Sequence, residues 1–277
     1  MSKKTLVCHT LIKNEENFIW YALMSVKDYV DKIMVWDTGS ADQTVAIVKS
    51  INDSKIELVE KGPVDAKGHA KMRQQMLEET DADWIFLLDG DEVWPQRAIQ
   101  ELRWIVDEHG DDFDLAVRPV YMLVGDIWHY LPEEAGRYQI AGRRGHLNIR
   151  GINRKIVGLH VDGQYGNEGY FDQTNKSIQN RDPERFYFAK HAYFHASFLP
   201  RSSHDNQTLK RQGRVKYELG KSFNDRSMLP EVFFTKPPSI VPPLPQKRSL
   251  GYLVRAGIET PLKMMKRRLW PNHTVGY

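Results

Sequence analysis

Residues 84–94 read Trp-Ile-Phe-Leu-Leu-Asp-Gly-Asp-Glu-Val-Trp, an apolar run that ends in two aspartates one residue apart. Because Trp84–Leu88 is too short for a helix and has no polar alternation, it predicts a strand buried on both faces. Gly90 allows a tight turn that brings Asp89 and Asp91 toward one point. Two such carboxylates repel each other unless a cation lies between them. This Asp-x-Asp motif therefore predicts a site for a hard divalent cation with positions open to a phosphate.

Length and composition fit a protein with one large α/β domain. The chain has 277 residues, of which 41% are hydrophobic and 27% charged, as is ordinary for a globular protein. The net charge of +3 is small and gives little support for nucleic-acid binding. A single cysteine, Cys8, excludes an internal disulfide and fits a reducing compartment. We see no signal-peptide core and no apolar stretch of about 18 residues, so we expect a cytoplasmic protein.

Strands and helices alternate through the first 120 residues. Asn14 is expected to cap the first helix, and Ser40 opens a capping box for the second. Repeated strand–helix units predict an α/β fold with a mostly parallel sheet flanked by helices. Ligands of such sheets bind beyond the carboxyl ends of the strands, where Asp37 and Asp89 fall. The predicted strands are Thr5–Ile12, Lys32–Trp36, Lys55–Val59, the run that ends at Asp89, and Asp114–Tyr121; the predicted helices are Glu15–Lys27, Ser40–Lys49, His69–Glu79 and Gln96–Glu108.

The alternation weakens after residue 125. Residues 125–175 are rich in Gly, Arg and aromatic residues and predict irregular loops with short antiparallel strands, typical of a region that recognises an acceptor. Phe186–Phe198 has strand character, Leu209–Lys221 resembles a basic helix, and 237–245 is Pro-rich and expected to be extended. We therefore expect one domain over 1–225, with halves 1–120 and 121–225, followed by a Pro-rich linker and basic extension over 226–277.

The basic extension has two interpretations. It is either a solvated, partly packed helix or a segment that lies on an anionic membrane, where each Lys or Arg contributes about 1 kcal/mol. Pro261 is expected to interrupt a continuous amphipathic helix. The second interpretation adds a peripheral location on the inner face of a membrane. The cationic side chains are Arg255, Lys263, Lys266, Arg267 and Arg268.

A second motif occupies residues 35–44, Val-Trp-Asp-Thr-Gly-Ser-Ala-Asp-Gln-Thr. A plain strand–turn–helix junction explains Gly39, Ser40 and Gln43. It does not explain Asp37, an acid at the end of an apolar strand. Asp37 is therefore a candidate to accept hydrogen bonds from a nucleobase or a ribose.

Together, these motifs resemble glycosyltransferase family 2, and most closely bacterial envelope enzymes of the lipopolysaccharide-core glucosyltransferase type. The likeness covers roughly residues 5–120 and rests on His9–Glu16, Asp37–Thr44, Arg73 and Trp84–Glu92 in that order. It implies a GT-A fold that binds a nucleotide-diphosphate sugar, by default a UDP-sugar, together with Mn²⁺ or Mg²⁺.

The resemblance also implies roles for individual residues. Arg73 is placed near the nucleotide or the first aspartate, although Gln74 stands where the family has Asn. Asp89 is placed near ribose and metal, and Asp91 at the metal as a catalytic residue. His195 is implied as a further metal ligand, ahead of His191. The residues assigned to the nucleotide sugar are Thr10, Asn14, Glu15, Asp37, Thr38, Lys67, Arg73, Asp89 and Gly90.

Inverting transfer to a hydroxyl of a glycan or lipid-linked acceptor also needs a base. Residues 166–169, Gly-Asn-Glu-Gly, resemble the His-Glu element of related enzymes, with Asn167 in place of His. Glu168 is therefore the predicted catalytic base, with Asp162 and Asp172 as alternatives.

Two other functions stay open on the sequence. A phosphatase of the haloacid dehalogenase type would use Asp89 as its nucleophile, because an apolar run followed by Asp-x-Asp-x-Val also begins that family. Three predicted strands precede the motif here, whereas it normally opens the chain. A non-catalytic nucleotide-sugar or carbohydrate-binding protein would instead stack sugars on aromatic rings such as Trp94, Trp128, Tyr130 and Tyr165.

Overall fold

The structure is a computed structural model that describes residues 3–164, 166, 168–200 and 215–269. The helices are α1 (Ile19–Val26), α2 (Thr44–Ile51), α3 (Ala66–Glu78), α4 (Gln96–His109) and α5 (Leu250–Leu269). The strands are β1 (Leu6–Ile12), β2 (Lys32–Asp37), β3 (Ile56–Glu60), β4 (Trp84–Leu87), β5 (Glu92–Val93), β6 (Leu115–Met122), β7 (His129–Tyr130), β8 (Tyr138–Ile140), β9 (Arg143–Gly145), β10 (Leu147–Asn153), β11 (His160–Asp162), β12 (Gly169–Phe171), β13 (Phe186–Phe188), β14 (Tyr193–His195) and β15 (Lys221–Ser222).

Nine strands of the described ranges form the main sheet, in the order β3-β2-β1-β4-β10-β6-β14-β5, with β13 also paired to β6. β1 to β4 are mutually parallel, and β10 lies antiparallel between β4 and β6. β13 and β14 run parallel to β6, and β5 runs antiparallel to β14. Seven of these strands share one direction, which confirms the mostly parallel α/β prediction.

The opening stretch forms the buried strand that its sequence predicts. All four residues of β4 are buried, and successive side chains of a strand point to opposite faces. Trp84 and Phe86 pack in the core cluster that also contains residues of α1, α2 and α4. Ile85 and Leu87 pack on the other face, with residues of α3. An uninterrupted apolar run is what a strand covered by helices on both sides requires.

The two predicted helix caps are wrong. Helix α1 begins at Ile19, four residues later than expected, and Asn14 has a left-handed backbone with φ of 55°. The Asn14 side chain accepts from the Ala41 backbone N–H instead of capping its own helix. Ser40 does not cap α2 either, because its hydroxyl donates to Asp37, and Asp42 accepts from the Thr44 N–H at the start of that helix. Asn14 and Ser40 therefore make hydrogen bonds at the junction of the loops that follow β1 and β2. The local spacing of residues does not predict such contacts between loops.

The second half contains the short antiparallel strands that its composition predicts, with pairs β11–β12, β15–β7 and β8–β9. The predicted helix Leu209–Lys221 is wrong where it can be compared: 209–214 lie outside the described residues, 215–220 are not helical, and Lys221 begins β15. The predicted interruption at Pro261 is also wrong, because α5 continues through it. The Pro-rich segment is irregular, yet Val241 and Leu244 are buried in the main core. The boundary at residue 225 stays a prediction.

No helix among the described residues combines the length and the apolar character needed to cross a bilayer.

His9 should make the fold sensitive to acid. Its ring is buried, with Nε2 2.6 Å from the Thr80 hydroxyl. Burial lowers the His9 pKa from 6.5 to about 3, aided by the charges of Arg73 and Arg154. The pKa of His9 is lower in the folded protein than in the unfolded chain. The contribution of neutral His9 to the free energy of unfolding is therefore fully present above pH 6.5 and is lost as the pH falls toward 3. The loss reaches at most about 1.4 kcal/mol per pH unit.

Urea unfolding between pH 7 and pH 4.5 measures this loss. We expect the free energy of unfolding to fall less steeply for His9→Gln than for the unsubstituted protein. The control His160→Gln, at a partly exposed histidine that contacts the Gly158 carbonyl, is expected to keep the original slope. Parallel slopes for the protein and His9→Gln would contradict the assignment.

Candidate functional site

The Asp-x-Asp turn lies at the edge of the sheet where β1, β2 and β4 end. β1 is paired in parallel with both neighbours, with Ile12 opposite Asp37 and His9 opposite Leu87. The two predicted acidic motifs therefore share one edge, as the carboxyl ends of parallel strands must. β5 and β14 complete the site from the other side, because Glu92 lies directly opposite His195.

Three side chains at this edge form a group suited to a metal ion. Ligand atoms of Asp89, Glu92 and His195 all lie within 4.8 Å of one another. Carboxylate oxygens are the ligands that Mg²⁺ prefers, and an imidazole is accepted by Mn²⁺ and the later divalent metals. The donor set therefore fits a divalent cation. Glu92 was not among the candidates from the sequence, because the Asp-x-Asp motif indicates only Asp89 and Asp91. The pairing of β5 with β14, which brings Glu92 to His195, has no signal in the local sequence.

Asp91, the second aspartate of the motif, lies beside this group. Its carboxylate is 3.1 Å from His195 Nε2, and its backbone carbonyl accepts from the Ala196 N–H. Burial lowers the pKa of His195, but Asp91, followed by Glu92 and Asp89, raises that pKa to about 9. Asp91 thus orients the histidine in this structure, and its role as a metal ligand stays a prediction.

Arg150 is the main cation of the site, and sequence reasoning missed it. The side chain is 2% exposed. Its guanidinium donates to both carboxylate oxygens of Glu92 and, at 3.0 Å, to Asp89. β10 places it there because that strand pairs with β4 at Gly151 and Phe86. Arg150 lies 58 positions after Glu92 in the sequence, so only the sheet order could have revealed the contact.

The charges of the site shift its acids in different directions. Burial pushes the pKa of Asp89 upward, but Arg150 and Arg73 outweigh burial and hold that pKa below its usual value. Burial prevails at Glu92, whose pKa is raised to about 7 although Arg150 opposes the change. Of these two acids, Asp89 is therefore the one whose surroundings favour the charged form. Perturbed carboxyls in a cleft are typical of functional sites.

Arg73 and Glu168 adjoin the same acids. Arg73, on α3, lies 3.5 Å from Asp89 and 3.8 Å from Glu168. Glu168 also contacts His69 Nδ1 at 3.1 Å. Burial raises the pKa of Glu168, but the His69 contact and Arg73 lower it below its usual value overall. Glu168, the predicted base, therefore lies in a cluster of charged side chains in which Arg73 contacts both Glu168 and Asp89.

Four of the residues predicted to bind the nucleotide sugar lie at the loop junction where β1 and β2 end, namely Asn14, Glu15, Asp37 and Thr38. The Asp37 carboxylate accepts from the backbone N–H groups of Gly39 and Ser40, 3.0 Å each, and from the Ser40 hydroxyl. Thr38 donates to the Ile12 carbonyl, and Thr10 is buried beside Cys8. Such contacts are those of an Asx-type turn, so Asp37 stabilises its own loop in this structure. Its contact with a base or ribose stays a prediction.

Gly90 is needed for close packing rather than for an unusual backbone angle. It is not among the glycines with positive φ. A Cβ atom at this position would lie 2.8 Å from Glu15 Cγ and 3.2 Å from Ile12 Cγ2. The end of β1 therefore fits directly against the Asp-x-Asp turn, which explains why Glu15 belongs to the site region.

A methyl group at Gly90 should disturb this packing. We expect Gly90→Ala to lower the free energy of unfolding by about 1–3 kcal/mol, because Glu15 must shift away from the turn. Gly251→Ala, in helix α5 with no atom within 4 Å of the added Cβ, is expected to be neutral or slightly stabilising. Urea unfolding of both variants measures the difference, and equal stabilities would contradict the close contact.

The remaining candidates lie elsewhere. Lys67 and Asp162 line a groove of about 440 Å³ beside α3. Asp172 accepts from Thr174 and pairs with Arg181, which holds a turn. The His191 backbone contacts Arg118 and Glu101 rather than the acids of the site.

The aromatic rings proposed for sugar stacking have other partners. Trp94 is 1% exposed and stacks on Tyr193 at 5.0 Å, so its faces are covered by protein. Tyr130 stacks on Phe223 at 4.4 Å, and Trp128 packs near Phe234. Tyr165 lies outside the described residues.

Most of the sequence that forms this site matches a model of a known protein family. The model described as Glycosyl transferase family 2 matches residues 9–174, more than half of the chain. The chain belongs to glycosyltransferase family 2. The match covers most of β1, all of β2 to β4, the Asp-x-Asp turn, Arg150 and Glu168, so the family resemblance seen in the motifs is confirmed.

Relatives of this family 2 chain share part of their length with it. An uncharacterised glycosyltransferase of Rickettsia typhi is 32% identical over 125 residues, 44% of this chain and 41% of that protein. The SPbeta prophage-derived glycosyltransferase SunS of Bacillus subtilis is 33% identical over 91 residues, 32% of this chain and 21% of that protein. The chain thus spans less than half the length of these relatives.

Solved structures show a partial likeness. TarS of S. aureus, residues 1–349, has a TM-score of 0.46 and 16% identity over 70% of this chain and 60% of that chain. Glucosyl-3-phosphoglycerate synthase from Mycobacterium tuberculosis, solved with Mn²⁺ and UDP, has a TM-score of 0.33 and 19% identity over 44% of this chain and 45% of that chain.

Proposed function

We propose that the protein is a metal-dependent glycosyltransferase that moves a sugar from a nucleotide-diphosphate sugar to a hydroxyl of a glycan or lipid-linked acceptor, with inversion. A UDP-sugar is the proposed donor. The observation that carries the proposal is the group Asp89, Glu92 and His195 at the carboxyl edge of the parallel strands, within a family 2 chain. Beyond such an edge, α/β sheets bind their ligands.

Asp89, Glu92 and His195 would hold Mn²⁺ or Mg²⁺, with Asp91, 3.1 Å from His195, as the further predicted ligand. When bound there, the cation supplies Lewis-acid stabilisation of charge on the departing diphosphate. Arg73 and Arg150 place two further positive charges against Asp89. Fixed charges of this kind stabilise a leaving group without reorganisation.

Glu168 is the proposed base. It would accept the proton of the acceptor hydroxyl as that oxygen attacks the anomeric carbon and the bond to the diphosphate breaks. Its contact with His69 orients the carboxylate, and Arg73 joins it to Asp89. Glu168 adjoins the donor-side acids through these contacts, whereas Asp172 is engaged by Thr174 and Arg181. The contacts of Glu168 with His69 and Arg73, both on α3, support Glu168 over Asp172 as the base.

The remaining assignments are part of the same proposal. Residues 1–225 would form the catalytic domain, with the donor bound mainly by 1–120 and the acceptor by 121–225. The protein would act in envelope polysaccharide synthesis, in the cytoplasm or on the inner face of the membrane. The family match over residues 9–174 and the short strands after residue 125 support the division into a donor half and an acceptor half.

Release of nucleoside diphosphate tests this function against its rivals. We expect the protein with Mn²⁺ to release nucleoside diphosphate from one donor of a nucleotide-sugar panel, faster when a glycan acceptor is added. A phosphatase would instead release phosphate from p-nitrophenyl phosphate and leave nucleotide sugars intact. Tight donor binding with neither transfer nor hydrolysis would identify a binding protein and would contradict the proposal.

A further inference from the structure

The solvent-facing side of helix α5 is apolar. Val254, Ile258, Leu262 and Met265 are between 56% and 65% exposed, and their spacing of three or four residues places them on one face. Leu250 and Leu269 extend the face to both helix ends and are 78% and 57% exposed. We call this set of six residues the outer stripe. Exposed apolar surface that is continuous, rather than scattered, marks an interaction site.

The opposite face of α5 fixes the helix to the protein. Tyr252 and Ala256 are buried, and the Tyr252 hydroxyl lies within hydrogen-bond distance of the Lys216 and Glu218 carbonyls. Near the other end, Arg267 pairs with Glu218 at 2.6 Å. The outer stripe is therefore not a core face that has failed to pack, since the helix already has an inner face with specific contacts.

Positive charge is concentrated in the same helix. Residues 250–269 contain five basic side chains and one acidic side chain, a net charge of +4 in a chain whose total is +3. The other 257 residues therefore carry a net charge of −1. Lys266 and Arg268 lie next to Met265 and Leu269 of the outer stripe. The single acid, Glu259, is engaged by Arg255 and Lys263.

This charge distribution favours an anionic lipid surface over a second copy of the chain as the occupant of the stripe. A second copy would bring another helix of net charge +4, with its one carboxylate already paired. Anionic headgroups attract each cation, while an apolar stripe enters the boundary between headgroups and acyl chains. Twenty helical residues provide a contact about 30 Å long.

We propose that helix α5 lies in the surface of an anionic membrane, with the outer stripe inserted and the flanking cations on the headgroups. Pro261 is compatible with this position, because α5 continues through it and the outer stripe is not interrupted there. The inference goes beyond sugar transfer, because it assigns a surface that the donor site does not use.

Binding of the full chain to lipid vesicles tests the proposal. We expect co-sedimentation with vesicles containing 30% phosphatidylglycerol to be stronger than with phosphatidylcholine vesicles by at least about tenfold, and to weaken in high salt. Ile258→Gln/Met265→Gln is expected to lose this binding. The matched control Val157→Gln replaces an apolar side chain that is 63% exposed outside α5 and should keep it.

Charge is tested separately by reversal. Lys266→Glu/Arg268→Glu should weaken binding to anionic vesicles at least about tenfold, while Lys176→Glu/Lys190→Glu makes the same change in net charge elsewhere and should not. Equal loss in both double variants would show attraction by net charge alone and would overturn the proposal. So would unchanged binding of Ile258→Gln/Met265→Gln.

A fluorescent label reports insertion directly. Cys8 is the only cysteine and is buried, so Ile258→Cys can be labelled selectively with a polarity-sensitive dye. We expect its emission to increase on anionic vesicles, and a label on Val157→Cys to stay unchanged. If the label responds to protein concentration without vesicles, and ultracentrifugation shows a dimer, the stripe binds a second copy and the proposal is wrong. Donor turnover by the stripe variants should remain unchanged, so failure here is distinguishable from failure of the proposed function.

Discussion

Asp89→Asn is expected to lower sugar transfer by about 10²–10³-fold. Asparagine keeps the size of the side chain but removes the charge that faces Arg150 at 3.0 Å and Arg73 at 3.5 Å. It also removes an anionic ligand from the proposed cation group. Lewis-acid stabilisation is worth several kcal/mol, and each 1.36 kcal/mol corresponds to a tenfold change in rate. Initial rates at saturating donor measure the effect.

Asp111→Asn is the matched control for this substitution. Asp111 is an exposed acid that pairs with Lys4 and Lys155, outside the site. Its replacement is expected to change the transfer rate less than about twofold, since exposed ion pairs contribute little. If Asp89→Asn retained the rate of the Asp111→Asn protein, Asp89 would have no part in donor chemistry.

Arg150→Met should destabilise the fold by about 3–5 kcal/mol. The substitution leaves Glu92, which is 0% exposed, without the guanidinium that bonds both of its oxygens. Removing one partner of a buried ion pair forces the other either to stay charged without compensation or to take up a proton, and both are costly, whereas replacing both partners is much less costly. Arg150→Met/Glu92→Gln is therefore expected to recover a large part of the loss. Urea unfolding at pH 7.5 measures both variants.

Arg118→Met separates stability from function. Arg118 is another fully buried arginine, paired with Glu101 at 3.0 Å outside the acid cluster. We expect a similar loss of stability but unchanged transfer under conditions where the protein is folded, whereas Arg150→Met should also slow transfer. Full stability of Arg150→Met, or equal kinetic defects in the two variants, would contradict the role assigned to Arg150.

Local sequence was sufficient for the strand and its carboxylates. The apolar run Trp84–Leu88 predicts β4 because a strand covered on both faces must lack polar alternation. The sequence also places Asp89 and Asp91 at the carboxyl end of this strand, because they directly follow the apolar run. Asp37 shows the limit of such reasoning: the sequence places it correctly beyond β2, but its carboxylate is engaged by Gly39 and Ser40 in the same turn.

Contacts distant in sequence could not be predicted in this way. Arg150 reaches Asp89 and Glu92 only because β10 inserts antiparallel beside β4. His195 meets Glu92 through a pairing of two very short strands, β5 and β14, which carry little periodicity of their own. Neither contact leaves a signal in local spacing, since each depends on sheet order.

The most direct test of the central claim is a thermal-shift panel of nucleotide-diphosphate sugars, each with and without Mn²⁺. A ligand that binds only the folded state stabilises it by about 2.7 kcal/mol at 100 times its Kd. For a chain of this size we expect a rise in Tm of about 5 °C for the true donor with Mn²⁺, and little change for Asp89→Asn. If no nucleotide sugar shifts the Tm of the unsubstituted protein, with or without metal, the assignment of a nucleotide-sugar site is contradicted.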